Sequence, residues 1–221
     1  MRYENTVTGI FLERPNRFIA YVSLNGKTET VHVKNTGRCK ELLISGAEVI
    51  LQKSDNPLRK TAYDLIGVYK KGTGWINIDS SASNKVVFEW LKGQVYDCVK
   101  PEYTYGKSRV DFYMERGGEK FLLEIKGCTL EIDGTGYFPD APTERGVKHL
   151  LELAEAAKAG YKCAVGFVIA VNGVTKVLPN DATHPEFGKA LDYAKKAGVK
   201  IIYYRCKVSE NELEIIDEEI N

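Results

Sequence analysis

Two carboxylates and one lysine have the types and spacing to carry out chemistry in this chain. Glu124 and Lys126 lie two residues apart in the apolar segment 121–128. Side chains alternate between the faces of a β-strand, so these two charges share one face with the apolar Leu122. That face is expected to be partly buried, and buried charges are tolerated only with partners or a metal ion. The segment therefore predicts a functional pair, with a solvent-exposed surface pair as the alternative.

A third charged residue, Asp111, lies one strand-like segment earlier. Alternation places it on the face opposite Val110 and Phe112. If the two strands are neighbours, Asp111 and Glu124 converge with Lys126 beside them. Two carboxylates supply the hard oxygen ligands that suit Mg²⁺ or Mn²⁺. Such an ion activates water for phosphodiester hydrolysis, and the lysine can orient that water and stabilise the transition state.

Basic and polar side chains also collect at two other places. One is the start of a predicted helix at Glu144, where Arg145 and Lys148 could add cationic donors to the free N–H groups of the helix N-terminus. The other is Asn35-Thr36-Gly37-Arg38, in which Arg38 could contact a phosphate backbone. Simpler alternatives are an intrahelical pair of Glu144 with Lys148 and an ordinary turn at Asn35 to Gly37.

The elements that must position these residues fall into two groups. Up to about residue 80 the sequence contains five or six short strand-like segments, with Asn25-Gly26 as a two-residue hairpin turn. Strands so short and numerous predict a small closed β-barrel of the oligonucleotide-binding (OB) type, with a small sandwich as the alternative. We therefore predict an OB-like barrel domain at residues 1–80.

A small, polar stretch at Asp79–Ser83 separates this domain from the rest. The pattern then runs helix, three strands, helix, strand, helix, strand, which indicates a mixed α/β domain at residues 81–221. A glycine-rich loop follows the three strands. Thr143 and Gly160 are predicted to bound the helix 144–159. The fold class is therefore α/β (α+β), with a barrel domain followed by a mixed domain.

Composition excludes several classes of protein. Hydrophobic residues make up 43% and charged residues 28% of the 221 positions, as in ordinary globular chains. The longest uncharged apolar run, Cys163–Val171, is too short to span a membrane, and the N-terminus carries charges where a signal peptide is apolar. Five scattered cysteines fit neither a disulfide framework nor a zinc site. We expect a cytoplasmic protein without a membrane partner.

Charge is unevenly distributed along the chain. The formal net charge is +1, but residues 209–221 hold six acidic and no basic side chains. This segment is expected to be a solvated acidic tail. The rest of the chain carries a formal charge of +7, which permits a polyanionic partner.

The strands that carry Asp111, Glu124 and Lys126, set between two helices, resemble the core of the PD-(D/E)XK metal-dependent nucleases. In that family an acidic residue of the first helix can complete the metal site. The resemblance assigns this role to Glu89, with an exposed helix residue as the alternative.

The chain also resembles the sugar fermentation stimulation protein A family of bacteria and archaea over nearly its full length. The matching strings are Val31–Arg38, Ser108–Phe112, Glu124–Lys126 with Thr129-Leu130, Phe138–Ala141, Thr143–Gly146 and Lys148–Leu150. Cys39 and the pair Gly127-Cys128 depart from the usual pattern without touching the predicted metal ligands. The resemblance implies DNA binding by an OB-like barrel followed by a nuclease-like domain. The residues assigned to nucleic-acid binding are Asn35, Arg38, Arg109, Arg145, Lys148 and His149.

The leading hypothesis is a Mg²⁺- or Mn²⁺-dependent nuclease-like protein that acts on DNA or RNA. Asp111 and Glu124 would hold the metal, Glu89 would add a ligand, and Lys126 would assist the nucleophile. A second hypothesis is a non-catalytic DNA-binding regulator of sugar-metabolism genes, in which the same trio is a structural ion network. A third is a metal-dependent phosphodiesterase that acts on a small nucleotide.

Overall fold

Fifteen strands and three helices lie within residues 1–35 and 37–221, which the structure, a computed structural model, describes. The N-terminal strands are β1 (Thr6–Glu13), β2 (Ile19–Leu24), β3 (Lys27–Val33), β4 (Glu48–Lys53), β5 (Tyr63–Lys70) and β6 (Gly74–Asn77). They are followed by α1 (Ala82–Lys92), β7 (Cys98–Tyr105), β8 (Ser108–Arg116), β9 (Glu119–Cys128), β10 (Leu130–Ile132), β11 (Thr135–Phe138) and α2 (Glu144–Lys158). The last elements are β12 (Lys162–Ile169), β13 (Val177–Pro179), α3 (Pro185–Lys196), β14 (Lys200–Val208) and β15 (Leu213–Ile220).

The first five strands form a closed barrel in the order β3-β2-β1-β4-β5. A short parallel pairing of β3 with β5 closes the barrel, and β6 pairs antiparallel with β5. Asn25 and Gly26, both at positive φ, make the tight turn that joins β2 to β3. Buried side chains that point inward, such as Val22, Val49 and Leu65, fill the interior. The predicted OB-type barrel is confirmed, and the sandwich alternative is wrong.

A six-stranded mixed sheet in the order β15-β14-β12-β9-β8-β7 forms the second part of the chain. Strand β9 lies inside this sheet, parallel to β12 and antiparallel to β8. Its residues Leu123 and Ile125 pack with α1, whereas Leu122 and Cys128 belong to the cluster that includes α2 and α3. The predicted mixed α/β architecture, with helices on both faces of the sheet, is confirmed.

Local signals around α2 are confirmed in part. Oγ1 of Thr143 accepts a hydrogen bond from the N–H of Gly146 at 3.1 Å, as expected of an N-cap, and Gly160 follows the helix at a φ of 96°. The preceding segment is not entirely a loop, however. Strands β10 and β11 form a hairpin there and join β13 in a small sheet. Strands of three or four residues are too short for alternation to identify them.

The prediction of a solvated acidic tail is wrong. Residues 213–220 form strand β15, which pairs antiparallel with β14 at the edge of the sheet. Leu213 and Ile215 are buried, while the acidic residues between and after them face outward. Arg205 of β14 forms ion pairs with Asp217 and with Glu219, the latter at 3.1 Å. Apolar alternation therefore outweighs the acidic composition of this segment.

Charged groups connect the barrel to the elements that follow it. Lys70 of β5 lies 2.5 Å from Glu131 of β10, and Lys34, after β3, lies 2.9 Å from the buried carboxylate of Asp79, which precedes α1. The N–H of Arg38 donates to Asp140 at 3.1 Å. No helix in residues 1–35 and 37–221 has the length and apolar character needed to cross a lipid bilayer.

Substitutions in β15 should separate a packed strand from a solvated tail. Leu213→Ala is expected to lower the free energy of unfolding by about 2–5 kcal/mol, because Leu213 is fully buried. Ile216→Ala on the same strand is the matched control, because Ile216 is 59% exposed. Its effect should stay within about 0.5 kcal/mol. Urea denaturation measures both, and equal small effects would contradict the packed strand.

Candidate active site

Glu124 is the buried charge around which the site is built. Its strand β9 lies between β8 and β12, and its side chain is only 4% exposed. Lys126 places Nζ 2.6 Å from Oε1 of Glu124. Nδ1 of His149, from α2, is hydrogen bonded to the same oxygen. The structure therefore brings the two predicted charges together and adds a histidine from the covering helix.

His149 joins this cluster rather than the surface. Its ring is buried, although the sequence assigned it to nucleic-acid binding. Nε of Arg145 donates to Nε2 of His149 at 3.3 Å. A guanidinium can only donate, so Nε2 accepts from Arg145, and Nδ1 is the nitrogen that faces Oε1 of Glu124. The histidine thus connects the carboxylate to the exposed Arg145.

Asp111 lies where strands β8 and β9 part. Their paired register ends at Phe112 opposite Leu123. Beyond it, Oδ2 of Asp111 accepts the N–H of Ile125 at 2.7 Å, and Oδ1 accepts the amide of Asn84 in α1 at 2.8 Å. The carboxylate is therefore held from two sides, next to Glu124.

Strict alternation does not hold along this part of β8. Val110 packs in the cluster that includes α2 and α3, whereas Phe112 packs in the cluster that includes α1. The expectation that both residues share the face opposite Asp111 is therefore wrong. The change of side occurs at Asp111, where its side chain, rather than the backbone, takes up the N–H of Ile125.

The two carboxylates have opposite pKa shifts. Burial, and then the negative charge of Glu124, raise the pKa of Asp111 above its usual range. Burial also acts to raise the pKa of Glu124, but hydrogen bonds from His149 and Lys126 outweigh it and leave that pKa lowered. One carboxylate is therefore firmly ionised, and it makes ionisation of its neighbour more costly.

This donor set fits a hard divalent cation. Both hydrogen bonds to Glu124 use Oε1, and Oε2 accepts none from the residues that the structure describes. A cation beside Oε2 and Asp111 would relieve the repulsion that raises the pKa of Asp111. Within residues 1–35 and 37–221, no three His, Cys, Asp or Glu side chains are arranged to hold a metal. Mg²⁺ commonly uses only one or two carboxylates, with water and phosphate oxygens as its other ligands.

Glu89 does not join this pair. It lies on α1 with a side chain that is 59% exposed, and its carboxylate is 2.8 Å from the N-terminal ammonium of Met1. The helix instead offers Asn84, one turn closer to its start, as the contact to Asp111. The role that the resemblance assigns to Glu89 is not supported by this geometry, because its charge already has a partner.

The residues that the sequence assigned to nucleic-acid binding differ in whether their side chains are free to contact a ligand. Asn35 uses its amide within the protein, donating to the carbonyl of Ile78 and accepting from Gly37, so it shapes its loop. Thr36 lies outside the described residues. Arg38 is exposed beside Asp140. A Cβ on Gly37 would meet Asp140 at 2.2 Å, so this close approach requires glycine.

Arg109 and Lys148 are exposed and paired with acids. Arg109 lies 3.0 Å from Glu102, and Lys148 lies 3.6 Å from Glu152 one turn along α2. Exposed pairs of this kind are weak and exchange readily with other anions. Both side chains remain available to a phosphate at the surface, although neither contacts the buried cluster in the structure.

A large cleft lies between the barrel and the mixed domain, and its lining does not include Asp111, Glu124, Lys126 or His149. Its volume is about 1140 Å³. Ser83 and Gly127 are on its wall, next in sequence to Asn84 and Lys126. Arg14 organises the opposite wall by donating to the backbone carbonyls of Arg17, Asn35, Gly37 and Arg38. No sequence pattern singled out Arg14 or Asn84, because each acts across a distance along the chain, whereas Asp140 lies in the string Phe138–Ala141 without an assigned role.

Comparison with known proteins agrees with this architecture. Residues 12–78 match the family model described as the SfsA N-terminal OB domain, and residues 81–212 match the sugar fermentation stimulation protein RE domain. Sugar fermentation stimulation protein homologs from Clostridium beijerinckii and Desulfitobacterium hafniense (strain Y51) are each 53% identical, covering 98% of this chain and 97% and 96% of their own lengths.

A solved structure is also similar. The structure of Pyrococcus furiosus SfsA in complex with Ca²⁺ matches with a TM-score of 0.87 and 27% identity, over 99% of this chain and 96% of that one. Together with the family models and the close relatives, this shows that the chain belongs to the sugar fermentation stimulation protein (SfsA) family.

The opposite pKa shifts predict opposite pH dependences for the contributions of the two carboxylates to stability. Asp111 has a raised pKa, so its stabilising contribution is present below its unfolded pKa of about 3.9 and is lost as the pH rises through the folded value. Glu124 has a lowered pKa, so its contribution is present above about 4.3 and is lost as the pH falls through the folded value.

At pH 7, Glu124→Gln should lose about 1–3 kcal/mol of stability, because Lys126 and His149 lose a charged acceptor. Asp111→Asn removes a repelled charge but also one acceptor for Ile125 or Asn84, so its loss should be smaller than that of Glu124→Gln. The loss in Glu124→Gln should shrink as the pH approaches 3. Urea denaturation at several pH values measures this, and an Asp111→Asn loss larger than that of Glu124→Gln at pH 7 would contradict the electrostatic account.

Gly127 controls how closely α1 approaches β9. A Cβ at this position would lie 2.7 Å from Oγ of Ser83. Gly127→Ala should push α1, with Asn84, away from Asp111 and cost about 1–3 kcal/mol. The double variant Gly127→Ala/Ser83→Ala should recover part of this loss, because the clashing oxygen is removed. Thermal unfolding tests this, and an additive loss in the double variant would disagree with the contact.

Proposed function

We propose that this SfsA-family protein binds DNA and hydrolyses its phosphodiester bonds with the help of a divalent metal ion. The observation that carries the proposal is the pair of adjacent carboxylates, Asp111 and Glu124, with Lys126 bonded to one of them. Acidic side chains of this kind are costly to bury. A large cleft reaches Ser83 and Gly127, the chain neighbours of Asn84 and Lys126, which supports access of a substrate to the elements that carry the pair.

DNA as the partner is supported by the family and by the barrel. The N-terminal strands form an OB barrel, a fold whose strands and loops often bind oligonucleotides. Exposed cations on the loops that follow β1 and β3 face the cleft, and phosphate contacts supply most of the affinity for nucleic acids. RNA is the alternative polymer, and the same assays distinguish the two.

The proposed metal is Mg²⁺ or Mn²⁺, with Asp111 and Glu124 as its protein ligands. The oxygen donor set supports a hard cation, and a similar solved structure is described as a complex with Ca²⁺. When bound, such an ion supplies charge neutralisation at the phosphate and lowers the pKa of coordinated water. The chain itself must then hold both carboxylates ionised and correctly oriented.

Its own residues have separate tasks in this proposal. Lys126 is positioned to donate to a phosphate oxygen or to the attacking water, because its ammonium lies at the cluster with only 13% of the side chain exposed. His149 is a positioning residue that fixes Oε1 of Glu124 and leaves Oε2 available. Asn84 and the N–H of Ile125 orient Asp111.

One observation favours the non-catalytic alternative. Lys126 and His149 both bond to Oε1 of Glu124, so the charges also satisfy one another as a closed network. In that case the protein would bind DNA without cutting it and regulate sugar-metabolism genes, in keeping with the name of its relatives, sugar fermentation stimulation protein homologs. The cytoplasm is the proposed compartment in either case, since all five cysteines are free thiols.

Cleavage assays separate the two functions. Asp111→Asn, Glu124→Gln and Lys126→Met are each expected to reduce Mn²⁺- or Mg²⁺-dependent cleavage of DNA by at least about 100-fold, while DNA binding is retained. Glu89→Gln is the matched control and should cleave at the wild-type rate. Gel analysis of labelled DNA and RNA after incubation with each metal measures the products.

Three results would change this proposal. Binding without metal-dependent cleavage by the wild type would support the regulator instead. Cleavage of small cyclic or linear nucleotides in preference to polymers would support a phosphodiesterase. Loss of activity in Glu89→Gln would restore the three-carboxylate site that the resemblance implies.

A further inference from the structure

The cleft between the two domains has walls of different chemical character. Arg17, Arg38 and Lys40 line it from the loops that follow β1 and β3 of the barrel. None of the three forms an ion pair with another residue that the structure describes. Ser83, Gly127 and Thr143 line it from the mixed domain, and Ser83 and Gly127 are next in the chain to Asn84 and Lys126 of the carboxylate cluster. Unpaired positive charge on the barrel side therefore faces the elements that carry the cluster.

Acidic residues on the cleft do not cancel this charge. Asp79 is fully buried and is paired with Lys34, which lies 2.9 Å away. Asp140 accepts the backbone N–H of Arg38 and so fixes the loop rather than the arginine side chain. Glu13 is the further carboxylate on the wall, against Arg14, Arg17, Arg38 and Lys40. The balance favours an anionic occupant.

The size and the apolar part of the cleft narrow the choice of occupant. A volume of about 1140 Å³ exceeds that of most small-molecule pockets, at about 300–1,000 Å³. Leu43, Leu130 and Phe138 add apolar surface to the polar walls. A double helix hides its bases inside, whereas unpaired bases can pack on apolar side chains while phosphates meet the cations. A short unpaired strand matches both features.

We propose that the cleft is the binding groove for a single strand of nucleic acid, with its phosphates on Arg17, Arg38 and Lys40 and its path leading to Asp111 and Glu124. This inference rests on the proposed function and specifies its substrate as an unpaired segment rather than an intact duplex. The backbone of Asn35, Gly37 and Arg38 is held for this role by hydrogen bonds with Arg14 and Asp140.

The test uses the whole protein and measures binding without cleavage. Fluorescence anisotropy with a labelled single strand of about 12 nucleotides, and with a hairpin duplex of the same sequence, is recorded in EDTA at several salt concentrations. The test variant is Arg17→Ala/Arg38→Ala/Lys40→Ala, which spares the backbone contacts of the loops. Lys195→Ala/Lys196→Ala/Lys200→Ala removes the same charge from exposed positions outside the cleft and is the matched control.

The wild type should bind the single strand more tightly than the duplex. The cleft variant should lose at least about tenfold in affinity at 0.1 M salt, and its log–log salt slope should fall by about two, at roughly 0.7 per lost phosphate contact on a single strand. The control variant should stay within about twofold. Preference for duplex, or equal losses in the two variants, would overturn the inference.

These measurements distinguish failure of the groove proposal from failure of the nuclease proposal. If strand binding depends on the cleft cations but no variant or wild type cleaves DNA, the groove stands and the nuclease proposal fails. If cleavage occurs without dependence on these cations, the groove is refuted and the nuclease proposal stands.

Discussion

The structure depends on one constraint, the need to keep the buried charge of Glu124 satisfied. An uncompensated carboxylate inside a protein is costly, and removing its partners leaves that cost in place. Lys126 on the same strand and His149 from α2 provide the compensation. Because these partners come from different elements, α2 must lie against the face of β9 that carries Glu124. The end of the β8–β9 ladder then brings Asp111 to the same place.

The second organising feature is the separation of charge across the domain junction. The barrel contributes cations on loops that line the cleft, and the mixed domain contributes Asp111 and Glu124 on neighbouring strands. Arg14 binds four backbone carbonyls and Asp140 accepts the N–H of Arg38, so the backbone of the basic loops is tied to the segment before α2. Lys70 of the barrel also pairs with Glu131 of β10. In the function we propose, the barrel holds a negatively charged chain and the mixed domain acts on it.

Much of this was visible in the sequence because the signals are local. Alternation along β9 predicted that Glu124 and Lys126 share a partly buried face, and Asn25-Gly26 predicted the turn that joins β2 to β3. Composition led to a wrong prediction where the acidic charge and the apolar alternation disagreed. The acidic segment 209–221 was expected to be solvated, but its alternating residues Leu213 and Ile215 are buried, and residues 213–220 form an edge strand. Family resemblance supplied the nuclease-like core, which the sheet order supports.

What the sequence alone determined is therefore the strand and helix pattern, the two-part organisation and the face of β9 that carries the charges. Only the tertiary structure decided that His149 is buried in the cluster rather than exposed, and that Glu89 pairs with the N-terminal ammonium. It also decided that Asn84, rather than Glu89, is the α1 residue that contacts Asp111. The physical reason is the separation along the chain of the residues that interact. Alternation and turn chemistry depend on neighbours along the chain, whereas a buried charge is satisfied by whichever element packs against it, and that is fixed only when the whole core forms.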